Sequence, residues 1–103
     1  MASKKAVSKN FKEPKNTAVF TTKFVINDKS DITIVNHHVD DNNWEFLSDD
    51  KFDDYREVIK IVSLENIIKQ DSSVLEIADL APGYSAHRKS RNDNWIIEQI
   101  KEN

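Results

Sequence analysis

Between Thr17 and Leu47 the chain reads as three short runs of β-type residues separated by polar tetrads, and this rhythm restricts the fold more than any other feature. In TAVFTTKFVI, residues 17–26, Phe20, Thr22, Phe24 and Ile26 recur at every second position, the period of a strand with one buried face. The tetrad Asn27-Asp28-Lys29-Ser30 tolerates turn conformations, and DITIVNHHV resumes the β-branched pattern through Ile32, Ile34, Val35 and Val39. A second turn, Asp40 to Asn43, leads into Trp44-Glu45-Phe46-Leu47, with Trp44 and Phe46 on one face. The pattern predicts a hairpin of the first two strands, extended by the third into an antiparallel meander.

The second half of the chain changes period. After the acidic stretch SDDKFDDYRE, the apolar run Val58 to Val62 predicts a fourth strand, covered on both faces and therefore central. Ser63 is placed to cap a helix over 64–69 with Leu64, Ile67 and Ile68 on its buried side. Ser73 and Glu76 have the spacing of a capping box for a second short helix over 74–80. Pro82 and Gly83, the latter the only glycine of the chain, mark its end and a reversal. A strand over 84–88, a turn over 90–94 and a final segment Trp95-Ile96-Ile97, either strand end or short helix, complete the reading. The fold class that follows is α+β: an antiparallel sheet of five or six strands with two short helices packed on one face.

A chain of 103 residues accommodates one core, so residues 17–103 are expected to form a single domain. Ahead of it, residues 1–16 carry Lys4, Lys5, Lys9, Lys12 and Lys15 against Glu13 and read as a disordered basic arm. That arm lacks the apolar core of a secretory signal, and no run has the length of a membrane span, which points to the cytoplasm and away from the membrane. Residues 40–57 hold eight carboxylates against Lys51 and Arg56, a charge that repels a phosphate backbone and excludes nucleic acid as a partner of the domain. With no cysteine and one glycine there is neither a thiol nucleophile nor a glycine-rich phosphate cradle, and no cofactor is expected.

Three sets of residues invite a chemical role. His37 and His38 are adjacent, so a strand would send them to opposite faces; His38 shares a face with Asn36 and Asp40, and His87 would join one of the pair if the late strands lie beside the second. A small metal-binding protein, or a metal-dependent hydrolase using these histidines, is the alternative reading. Asp49, Asp50, Asp53 and Asp54 supply hard oxygens, yet their order does not match the alternating calcium loop, and a solvated acidic loop or a docking surface for a basic partner accounts for them better. Trp44, Phe46, Tyr84 and Trp95 are core residues by default and interface residues wherever they are exposed. Arg88, with Lys89 and Arg91, is the counter-charge to the acidic stretch.

WEFLSDD, the run VSLENIIKQDSSVLEIADLAPGYSAHR and the late Trp95 together resemble a family of small uncharacterised bacterial proteins and, more loosely, the immunity-protein-like domains of polymorphic toxin systems. The resemblance spans residues 18–97 and falls on Trp44, Phe46, Asp71, Ser73, Asp79, Leu80, Gly83, Ala86, Arg88 and Trp95. The chain departs from the family pattern at Ala81, where relatives carry proline, and at Tyr84, where they carry tryptophan. What the resemblance implies is a module without enzymatic activity. Joined to the absence of a catalytic motif, it leads to an expected function: binding another protein, as an immunity-like inhibitor, with the chain a monomer or homodimer. The expected binding residues are Trp44, Asp49, Asp50, Asp53, Asp54, Tyr84 and Arg88.

Overall fold

A computed structural model describes residues 9–100 of the chain. Six strands form one mixed sheet in the order β4-β1-β3-β2-β5-β6. They are β1 (Ala18–Thr22), β2 (Ile34–His37), β3 (Trp44–Leu47), β4 (Ile59–Ser63), β5 (Tyr84–His87) and β6 (Ile96–Gln99). Short helices α1 (Lys23–Ile26), α2 (Tyr55–Val58) and α3 (Leu64–Gln70) and a 3-10 helix (Ser72–Ile77) lie between them. The α+β class stands, with one amendment: every neighbouring pair is antiparallel except β1 and β3, which run parallel.

That exception overturns the expected β1–β2 hairpin. The alternation predicting a strand to Ile26 stops at Thr22, whose Oγ1 accepts from the Val25 amide at 3.4 Å and caps a single helical turn. Val25 is fully buried, while Phe24 and Ile26 are only partly so, the reverse of the strand pattern. The chain then swings past the sheet end, and β2 enters two places away, leaving a slot that β3 fills. The β2–β3 hairpin does form, with Val35 opposite Phe46 and His37 opposite Trp44, around a turn where Asn42 adopts φ 59°.

β4 is an edge strand and not a central one. Its apolar run is divided between Val58, buried at the end of α2, and a strand whose only neighbour is β1, so Ile61 is 65% exposed. The expected helix after Ser63 forms as drawn: Ser63 Oγ accepts from the Asn66 amide at 3.1 Å, and Leu64 and Ile67 are buried. For the following turn Asp71, not Ser73, is the cap. Asp71 Oδ1 accepts from both the amide and the hydroxyl of Ser73, at 3.0 and 2.6 Å, which leaves a 3-10 turn where an α-helix was expected. Gly83, at φ 89°, makes the reversal into β5, and Trp95 leads into a strand and not a helix.

Paired residues share a face, so register divides the sheet. Val19, Val35, Trp44, Phe46 and Ala86 face α3 and the 3-10 helix, and with Leu64, Ile67, Val74, Ile77 and Leu80 they form the core. Phe20, Glu45, Asn36, Ser85 and Glu98 form a row across the opposite face.

The arm expected over residues 1–16 lies outside the described residues for its first eight positions. Residues 9–16 pack on the sheet and on α3. Phe11 packs edge-on against Trp44 with centroids 4.9 Å apart, and Lys15 O accepts from the Glu65 amide at 2.9 Å. In an otherwise lysine-rich segment Phe11 adds apolar area to an existing cluster, which helps dock it.

Candidate functional site

The acidic stretch is an ordered loop whose four aspartates divide into two pairs. Ser48 Oγ donates to Asp50 at 2.6 Å; with Ser30 it holds the Asp50 carboxyl below its ordinary range. Asp54 accepts from the Arg56 amide at 3.0 Å, capping α2, and pairs with the Arg56 guanidinium at 3.1 Å, which also lowers its pKa. Asp49 and Asp53 are exposed and have no hydrogen-bond or ion-pair partner among the described residues. Two aspartates therefore build the loop and two face outward. Between them in the chain Phe52 is 42% exposed, its ring stacked 6.4 Å from Phe24 and tilted 5.9 Å from Tyr55. Asp50, Lys51, Phe52 and Asp53 line an open recess of about 560 Å³.

Beneath this loop, on the sheet face away from α3 and the 3-10 helix, lies a polar cluster that sequence reasoning missed. Glu45 Oε2 accepts from the Tyr55 hydroxyl at 2.6 Å, and Oε1 from Asn36 Nδ2 at 3.0 Å and His38 Nε2 at 3.1 Å. The expected partner of His38 was Asp40; the actual one comes from β3, because register sets Asn36 against Glu45. Burial alone would raise the Glu45 pKa, but the bonds from Tyr55, Asn36 and His38 outweigh it and hold the group below 4.5. Burial, and then Glu45, push the Tyr55 phenol well above its ordinary range. A carboxylate whose folded pKa is depressed contributes stability above its unfolded pKa and loses it as pH falls. Tyr55→Phe is therefore expected to cost about 1.5–3 kcal/mol at pH 7, the worth of a hydrogen bond to a charged group, and progressively less below about pH 4.5. Urea titrations at pH 7 and pH 3.5 check this; an equal cost at both would refute it.

The remaining expected binding residues fare differently. Tyr84 is 36% exposed beside Gly83. Trp44, also expected to contact a partner, is 2% exposed and belongs to the core. Arg88 is buried as well. Its side chain is 1% exposed and engaged on every side: Nη2 to Asp71 Oδ2, Nε to Ile32 O and Nη1 to Arg91 O, each at 3.0 Å, with its guanidinium 3.9 Å from the Trp95 ring centroid. Asp71, and not the acidic loop, is its counter-charge.

The three histidines do not converge. His37 turns into the core and stacks on Trp44 at 3.9 Å; His38 lies on the other face against Glu45; His87 sits opposite Ile34 on β2 and 3.5 Å from Glu98. Among the described residues no group of three or more histidines and carboxylates is disposed to hold a metal ion, so the metal reading loses its ligand set. No helix among the described residues is long and apolar enough to cross a membrane. No family model, curated protein or solved structure matches the chain.

Proposed function

We propose that the chain is a non-enzymatic protein-binding module of the cytoplasm, docking a basic partner through the 49–57 loop in the manner of an immunity-like inhibitor. One observation carries the reading: Phe52, 42% exposed, lines an open recess with Asp50, Lys51 and Asp53, and Asp49 and Asp53 have no partner among the described residues. A half-exposed aromatic in a stretch of net negative charge has the anatomy of a hot spot, in which the ring supplies affinity and the charges supply steering. Residues 49–57 carry five carboxylates against Lys51 and Arg56, a net −3 that equals the net charge of the whole chain. The partner complementary to it presents lysines and arginines around an apolar socket. The resemblance to immunity-like domains supports the same direction.

Capture from a lysate of the native host, followed by titration with the purified partner, tests the proposal. Phe52→Ala is expected to weaken binding by at least about tenfold. Asp49→Lys with Asp53→Lys is expected to slow association and flatten its salt dependence. The aspartate pair alters exposed positions, so its thermal stability is expected to stay within about 0.5 kcal/mol, whereas Phe52→Ala also gives up the contacts with Phe24 and Tyr55 and is expected to cost about 1 kcal/mol. A partner bound equally by all variants, or none captured, would count against the loop.

A further inference from the structure

β2 and β3 place His37 and Trp44 opposite one another on the core face, where Glu13 of the N-terminal segment meets both. His37 Nδ1 lies 2.7 Å from the carbonyl oxygen of Leu80. A carbonyl only accepts, so Nδ1 carries a hydrogen, and in the neutral ring Nε2 is a bare acceptor. That Nε2 is buried and has no hydrogen-bond partner among the described residues. It faces Glu13 Oε2 across 4.0 Å, too far for a hydrogen bond, while the same oxygen accepts from Trp44 Nε1 at 2.9 Å. In the neutral state two acceptors confront each other with no proton between them. A proton on Nε2 converts that confrontation into a charge-assisted donor–acceptor pair.

We propose that His37 is a proton-operated latch that draws the 9–16 segment onto the domain when its imidazole is protonated. The other charged groups around the ring leave Glu13 as its counter-ion. Asp79 is taken by Lys9 at 3.2 Å, and Asp41 by the amide and side chain of Asn43. Lys12 lines the same cleft and cannot pair with a cation, and the register partner on β5 is Tyr84, which is not a carboxylate. The latch is closed when Nε2 carries a proton facing the Glu13 carboxylate and released when that proton is lost. This inference concerns a different part of the molecule from the acidic loop and does not depend on its role.

Two indole protons and one amide read the latch. The chain has two tryptophans: Trp44 Nε1 donates to Glu13, whereas Trp95 Nε1 donates to Ser73 O. The Glu65 amide donates to Lys15 O and reports docking of the segment from the backbone. Solvent exchange of these protons, measured by nuclear magnetic resonance from pH 8 to pH 5.5 and corrected for intrinsic rates, is expected to slow about five- to tenfold at Trp44 and Glu65 and not at Trp95. Glu13→Gln keeps an acceptor for Trp44 but removes the counter-charge, and His37→Asn keeps a donor for Leu80 but cannot be protonated; either is expected to abolish the pH dependence. Protection that is independent of pH, that weakens on acidification, or that keeps its pH dependence in both variants would overturn the proposal.

Discussion

Arg88→Ala is expected to cost about 3–5 kcal/mol, because it leaves Asp71 as a buried charge with its principal partner gone. Asp71 is 4% exposed, and only Arg91, with Nε at 3.4 Å from Oδ2, and the amide and hydroxyl of Ser73 would remain to it. Arg88 also donates to Ile32 O and Arg91 O, and its guanidinium lies over the Trp95 ring, so its loss loosens the loop before β2 and the turn before β6 together. Burial lowers the pKa of Arg88 and Asp71 opposes that, so the guanidinium stays charged at any pH where the domain folds. A domain of this size holds about 5–15 kcal/mol in all, and the expected loss corresponds to a fall of at least about 12 °C in melting temperature. Arg88→Met combined with Asp71→Asn removes both charges, and is expected to recover a substantial part of the loss. Urea denaturation of the single and double variants decides the matter. A single-variant loss under about 1 kcal/mol would show that the pair is not a structural anchor.

Much of the architecture was legible where one local signal met no competitor. The WEFL alternation placed Trp44 and Phe46 on the buried face, Ser63 capped its helix, and Gly83 turned the chain, since each choice is settled within a few residues. Strand order was not legible. Hairpin reasoning assumes that consecutive strands pair, and nothing near Thr22 signals that the chain will leave the sheet for a helical turn and let β3 enter beside β1. The run Val58 to Val62 suggested a central strand because an apolar string reads alike in a buried strand and in one shared between a helix end and an edge. Asp71 displaced Ser73 as the cap because both are good caps two residues apart, and the buried Arg88 selects the carboxylate.

The site divides in the same way. The 49–57 stretch stands out in the sequence through its charge, but that Asp50 and Asp54 are tied down internally while Asp49, Phe52 and Asp53 are exposed depends on the fold. The Glu45 cluster was invisible, since its members come from β2, β3 and α2 and meet only through register. Glu45 on a strand flanked by Trp44 and Phe46 was the one available hint, a carboxylate expected to find donors on the face it occupies.

Trp44→Ala is expected to be as damaging as the loss of Arg88, about 3–5 kcal/mol, and to act at a distance on the N-terminal segment. The ring is 2% exposed and touches three others: His37 stacked at 3.9 Å, Phe46 at 6.1 Å and Phe11 edge-on at 4.9 Å. Truncation opens a cavity in the core and removes the indole donor to Glu13 along with the surface on which Phe11 rests. Trp44→Phe separates these contributions. It keeps an aromatic in the stack and loses the indole donor and part of the packing volume, so about 1–2 kcal/mol is expected from it. If the segment is held by the ring itself, exchange of the Glu65 amide speeds up sharply in Trp44→Ala and only modestly in Trp44→Phe. Denaturant titrations of both variants, with amide exchange at Glu65, provide the comparison. Equal losses in the two would place the stabilisation in the Glu13 hydrogen bond and not in the packing, and a loss below about 1.5 kcal/mol in Trp44→Ala would mean that the core closes around the missing ring.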